Sequence, residues 1–439
     1  MPRQPQLICS HQPLSYKGSP HATHCEYNQP TLEERLAATK PKPGTRVPIP
    51  PTRADIHHFP APPVLPDDDL AVEPDPPQDF QTWLGVRNQV TSRRSTIYVA
   101  SPPVSDAMDV DMDSWTKPLA IGTEHHDQMP SNPNIEDTID FLAAFYHGLP
   151  VKELHLRNWG FTSPTKSEIA LNTQRQHVRI RTRRSPDGIY PFQLNLEDLL
   201  EAAQAMLPSD AYALCLVVDH DLFEDEDDIF VCGRAYGGRR VAVVSTARYN
   251  PLLDKMHDID RDHVWPVSHC ARFLENTCKA HGSSAKKRRT TAEPSILHKR
   301  NKKSNSHPPL EAAVAAFSET STSAGGMPIL ASPSPILLST LWLARIVRTV
   351  SHEIGHCFGI GHCAYYACLM QGSASLAEDM RQPPYLCPVD LAKLLASTRA
   401  TPVERYSALL EFCGRPRIRE LPHFAAYAVW LKASVEICG

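Results

Sequence analysis

Nowhere in these 439 residues is there an apolar run long enough to cross a bilayer. The longest, near Ile336 to Val350, is short and carries Arg345 and Arg348, which argues for a buried helix instead. The opening residues, MPRQPQLICSHQPLSYKG, lack the apolar core of a secretory leader. Charge of one sign is scarce too. With 45 Lys+Arg against 49 Asp+Glu, the formal net charge is −4, which gives no overall drive towards nucleic acid or membrane. The 12 cysteines form no regular framework, and six of them fall between Cys357 and Cys438. Reduced thiols in cytosol or nucleus, free to bind metal, are therefore expected in place of disulfides. Proline, by contrast, is abundant: 17 of the 41 precede Gln78.

Against this background one stretch is dense in chemistry. Ser351 to Met370 reads SHEIGHCFGIGHCAYYACLM and holds His352, Glu353, His356, Gly359 and His362 in the order H-E-x-x-H-x-x-G-x-x-H, the metzincin form of the zinc-protease motif. In a helix, residues four apart share a face, so His352 and His356 can offer nitrogens to one metal with Glu353 at the edge of that face. Gly359 can take a positive φ, stop the helix and turn the chain back, bringing His362 in as third ligand. The fourth position stays open for water, and Glu353 is placed to take its proton. A bare H-E-x-x-H arises by chance in solvated helices; three further specified residues in register argue for a real metal site.

Cys363, Cys368 and Met370 follow, then Cys387, and this C-x-x-x-x-C-x-M arrangement attached to the motif resembles the archaemetzincins. In that family the cysteines bind a second, structural zinc completed by a C-x-x-C pair. Here the pair reads Cys387, Pro388, Val389, Asp390, so the resemblance implies Cys363, Cys368, Cys387 and Asp390 as ligands, with Cys413 as another candidate for the fourth place. Reduced cysteines buried as small hydrophobes are the alternative. The resemblance further implies an α/β (α+β) peptidase domain with a mixed twisted sheet, an active-site helix, a small lower subdomain, and Met370 in a turn beneath the catalytic zinc. Looser matches precede the helix: Asp221, Leu222 and Phe223, then Phe230 to Gly233, then Ser245 to Arg248. They imply that RRVAVVSTARY is the edge strand along which an extended peptide would pair.

The organisation expected around this motif is a Pro-rich disordered tail over 1–94, a catalytic domain over 95–439, and a flexible basic and Ser-rich insertion over 278–333. Within the tail, Thr31 to Ala38 hints at a helix, and VPIPPTR and FPAPPVLPDDD could dock a partner's aromatic groove. STIYVAS, VKELHL, HVRIRTRR and ALCLVVDHDLF read as strands. Asn134 to Leu149 and Leu196 to Met206 read as amphipathic helices. Ser339 or Thr340 is placed to cap the helix bearing the motif, and three helices are expected over 389–398, 403–412 and 423–435. Asp106, Asp109, Asp111 and Asp113, with His125 and His126, lack ligand spacing and read as a solvated insertion. Lys286 to Arg289 and Lys299 to Lys303 read as a nuclear signal, a weak nucleic-acid contact or a merely soluble loop; with no aromatic residue among them, a stacking platform for single strands is disfavoured. The function expected is a zinc peptidase acting on peptides or proteins. The alternative is a catalytically weak, zinc-stabilised binding protein working through the tail and insertion.

Overall fold

The computed structural model describes residues 9–25, 27–40, 58–103, 111–119, 129–165, 168–281, 308–321 and 333–438. Strand β1 (Thr96–Ala100) is β-branched and aromatic and buries nearly every residue. Helix α4 (Ile135–Phe145), capped by Asn134, crosses from it to β2 (Val151–Glu153), which pairs with β1 in parallel. A three-stranded antiparallel meander follows, built from β3 (Gly160–Thr165), β4 (Glu168–Asn172) and β5 (His177–Ile180), then a hairpin of β6 (Thr182–Arg184) and β7 (Phe192–Asn195). Helix α5 (Leu196–Met206) leads into β8 (Ala211–Val218), and β9 (Asp221–Phe223) pairs with β7. The main sheet runs β10-β11-β8-β1-β2, with β10 (Gly233–Tyr236) antiparallel to β11 (Val241–Ser245) and the other pairs parallel.

Both faces of this sheet are covered, as the unbroken apolar runs of β8 and β11 require. The two-residue period divides them. Leu214, Leu216, Val218, Val241 and Val243 join one core with α5. Ala213, Cys215, Val217, Ala242 and Val244 join a second, larger core with α4 and helix α8 (Pro335–Cys357). Helix α8 therefore lies against β8, β10 and β11, and this rigid seat fixes the motif. Its two arginines are buried but paired, Arg345 with Asp254 at 2.7 Å and Arg348 with Asp379 at 2.5 Å. Among the described residues no helix is long and apolar enough to cross a membrane. Below α8, after the short helix α9 (Leu376–Asp379), the helices α10 (Pro388–Thr398), α11 (Pro402–Cys413) and α12 (Pro422–Cys438) close the bottom of the larger core.

Several expectations need correction. The segment before Ser95 is not a loose tail where it is described. It forms α1 (Leu32–Ala38), α2 (Asp69–Val72) and α3 (Phe80–Val86), and Phe80 and Trp83 are fully buried in the larger core. Pro60 to Leu65 are buried as well, so FPAPPVLPDDD packs on its own chain and is not free to dock a partner. Proline lacks an N–H, which suits a segment that lies on a core in extended form and adds no sheet hydrogen bonds. RRVAVVSTARY is not the edge. All five residues of β11 are buried, while β10, partly exposed, ends the sheet. HVRIRTRR divides into β5 and β6, which belong to different sheets. Helix α8 starts one turn earlier than expected, capped by the Ser334 side chain, which accepts from the Leu337 N–H. Part of the insertion is ordered: α7 (Pro309–Thr320) packs against α12. The basic clusters at 286–289 and 299–303, VPIPPTR, Asp106, Asp109, His125 and His126 lie outside the described residues.

Candidate active site and metal centres

Helix α8 ends where Gly359 takes φ +76°, a conformation that strains any residue with a Cβ. A Cβ there would also lie 2.9 Å from the Arg87 Cα. The turn returns His362 to the face carrying His352 and His356, whose ligand atoms all lie within 4.8 Å of one another. Each ring is held from behind. His352 Nδ1 bonds the Leu369 carbonyl at 2.8 Å, His356 Nδ1 the Ile360 carbonyl at 2.8 Å, and His362 Nδ1 the Asp75 carboxylate at 2.7 Å. A carbonyl oxygen can only accept, so Nδ1 carries the proton on His352 and His356 and the Nε2 lone pairs are left free. Those two Nε2 atoms face each other at 3.0 Å, where bare lone pairs repel and a cation between them would remove the conflict.

Electrostatics favour the ligand form. Burial, with the neighbouring imidazoles adding to it, pushes His352 well below the usual histidine range and His356 down to about 4. Both are neutral at pH 7. Burial pushes the Glu353 carboxyl up to about 8, Asp379 adding to the effect and Arg234 opposing it. Beneath the site, Met370 is fully buried and packs on Gly355, where a Cβ would sit 2.6 Å from the Met370 Sδ. The histidines and Glu353 open into a cleft of about 900 Å³ that Gly233, Arg234 and Ala235 of β10 also line.

The four other candidate ligands also come together. Cys363, Cys368, Cys387 and Asp390 are all buried, with ligand atoms within 4.8 Å of one another. Cys363 and Cys387 sulfurs lie 3.5 Å apart, and Asp390 Oδ2 is 3.3 Å from Cys368 Sγ. Cys413 is buried but not part of this group. Burial pushes the Cys368 and Cys387 thiols up. Cys363 is brought down against its burial by hydrogen bonds from those two thiols and from the backbone N–H groups of Tyr365 and Tyr366. Four acidic groups sharing one dry pocket cannot all ionise without a cation. Lys393, at 2.8 Å from Asp390 Oδ1, supplies one charge only.

Sequence reasoning missed the residues that join the two sites. Lys393 Nζ also donates to Gln78 Oε1 at 3.0 Å, and Gln78 in turn bonds the Gly359 carbonyl and the Gly361 N–H, each at 3.0 Å. Trp83 Nε1 donates to the Phe358 carbonyl at 2.9 Å, and Asn88 Nδ2 to the carbonyls of Gly237 and Cys357. Asp75, Gln78, Trp83 and Asn88 all come from the stretch expected to be a tail. Only the D-x-x-Q spacing ahead of an aromatic pair marked it, and no periodicity accompanied that signal. The upstream match Asp221 and Arg248 is structural: Arg248 is buried and paired with Asp221 and Asp187, each at 2.5 Å.

Comparison with known proteins points to the same stretch of chain. Residues 338–395 match the model of Peptidase family M54. Human Archaemetzincin-2 is 24% identical over 349 residues, covering 79% of this chain and 72% of the relative. Mouse Archaemetzincin-1 is 25% identical over 343 residues, covering 77% of this chain and 50% of the relative. The crystal structure of Archaemetzincin from Methanopyrus kandleri aligns with 71% of this chain and 99% of its own at 16% identity and a TM-score of 0.33. The M54 match lies across the helix, the His triad and the cysteine cluster, and together with these relatives it supports a zinc metallopeptidase similar to the archaemetzincins.

Proposed function

We propose that His352, His356 and His362 hold the catalytic zinc and that Glu353 is the general base of peptide hydrolysis. The observation that carries the reading is the set of three imidazoles, each anchored through Nδ1, at the floor of a cleft that also holds a buried carboxylate. Zinc, when bound there, supplies a Lewis acid and makes an attacking water acidic enough to ionise near neutral pH. Glu353 takes the proton of the attacking water and passes it to the departing amide nitrogen. The ionised form of Glu353 is the one that takes this proton, and a cation held by the three imidazoles would favour that form against the burial that pushes the carboxyl up. A peptide would lie antiparallel or parallel along β10, whose outer row of N–H and C=O groups is unpaired by sheet neighbours. Substrate recognition is then largely main-chain.

On this reading Cys363, Cys368, Cys387 and Asp390 hold a second, structural zinc, stiffening the loop that delivers His362. Residues 95–439 form the catalytic unit, with 9–94 as an arm that completes it. The thiol-rich site suits a reducing compartment, and cytosol or nucleus is the proposed setting. The test is Glu353→Gln: it keeps its metal content while hydrolysis of a mixed peptide library falls by about 10²–10⁴. Retained hydrolysis in a zinc-loaded Gln variant removes Glu353 from the mechanism.

A further inference from the structure

A third cluster of metal-binding side chains lies away from both sites. Cys9, His11 and His263 bring their ligand atoms within 4.8 Å of one another; Cys270 falls outside that group, but its Sγ stands 3.7 Å from Cys9 Sγ. A disulfide would need sulfurs at about 2.05 Å. Two thiolates on one tetrahedral zinc, with bonds of about 2.3 Å, lie about 3.8 Å apart, so the observed spacing fits a shared cation.

The surroundings match that purpose. His263 Nδ1 is bound to Asp260 Oδ2 at 2.7 Å, which fixes the tautomer and turns Nε2 outward, as in metal sites backed by a carboxylate. The His11 ring is likewise tied to the backbone of Asp262. Phe273 stacks on His263 with ring centroids 4.3 Å apart, holding the imidazole plane. Cys270 is fully buried at the N-cap of α6 (Ala271–Ala280), where burial pushes its thiol up and the backbone N–H groups of Phe273 and Arg272 oppose that. Two of the four side chains come from the N-terminal strap and two from the loop before α6. The strap is already laid on that loop by backbone bonds, Ser15 N–H to the His269 carbonyl at 2.8 Å and Ala271 N–H to the Pro13 carbonyl at 2.9 Å.

We propose that Cys9, His11 and His263 hold a third zinc, with Cys270, beside Cys9 but outside their group, drawn in as fourth ligand, a clip that fastens the N-terminal strap to the catalytic domain. With Cys270 drawn in, the donor set is that of structural zinc, closed to substrate by four protein ligands. It is independent of the peptidase reading, since none of its residues reaches the cleft.

The test uses the full chain, zinc-loaded and freed of loose metal. Elemental analysis of wild type and of Cys9→Ser/His11→Ala should differ by one zinc per chain. In parallel, maleimide labelling resolved by peptide mass spectrometry follows Cys9 in wild type and in His11→Ala, which keeps both cysteines. Zinc should slow Cys9 labelling at least tenfold in wild type and much less in His11→Ala. Equal zinc counts with zinc-independent labelling would overturn the proposal, leaving a hydrogen-bonded Cys9–His263–Asp260 chain. A Cys9–Cys270 disulfide in the zinc-loaded protein would overturn it as well.

Discussion

Removing Asp75 should loosen the catalytic metal without touching a ligand. Of the three imidazoles, His352 and His356 are held by backbone carbonyls that no substitution can delete, whereas His362 is held by a side chain. Loss of such a partner to a ligating histidine typically costs 10–100-fold in metal affinity or activity. Here the pair is partly open to water, His362 side chain 35% and Asp75 42% exposed, and solvent screens the charge between them. The lower end applies, about tenfold or ~1.4 kcal/mol. Asp75→Asn keeps an acceptor and loses only charge, so it should fall between wild type and Asp75→Ala. The assay is zinc competition against a chromophoric chelator at fixed pH, with kcat/KM measured at saturating zinc. An Asp75→Ala protein with wild-type zinc affinity would refute the claim that this aspartate orients His362.

Two other perturbations probe the frame around the site. Lys393→Met leaves Asp390 buried beside three cysteines without its ammonium; breaking a buried pair costs about 3–5 kcal/mol. Asp390 sits near pKa 7 through burial and the Cys363 charge even with Lys393 present, so it can neutralise itself and the lower figure is expected, read by urea unfolding in chelator. A loss under about 1 kcal/mol would mean that the buried Lys393–Asp390 pair carries no weight. The buried histidines His220 and His269, each pushed down to about 4 by burial, stay neutral in the fold while unfolded histidine titrates near 6.5. Between these values the unfolded chain binds more protons, so their contribution is complete above pH 6.5 and is lost as pH falls towards 4, on the order of 1.4 kcal/mol per pH unit per histidine. A midpoint of denaturation unchanged between pH 7 and pH 5, with His220→Gln/His269→Gln behaving alike, would contradict this.

Much of the site was legible because its constraints are local. The His352–His356 spacing, Gly359 at the helix end and the cysteines after His362 all act within about forty residues of chain, where helix geometry and ligand chemistry leave few choices. The strands and helices with clean periods, such as Ile135–Phe145 and Leu196–Met206, were legible for the same reason. What escaped detection is long-range. Asp75 meets His362 across 287 positions and Gln78 meets Lys393 across 315, and a single anchor residue in a proline-rich stretch leaves no periodic trace. The edge strand was misassigned because β11 is more apolar than β10. High apolarity marks a strand buried on both faces, while the edge that can receive a peptide is the short, polar Gly233–Tyr236.

The most direct test of the account is zinc content measured together with hydrolysis of a mixed peptide library, on wild type, His356→Ala and Cys368→Ser. The account predicts that zinc-loaded wild type cleaves peptides, and that His356→Ala loses one zinc per chain and all cleavage. Cys368→Ser should lose a different zinc, the one proposed to be structural. Zinc-loaded wild type that cleaves nothing, or a His356→Ala protein that keeps both its metal and its activity, would contradict it.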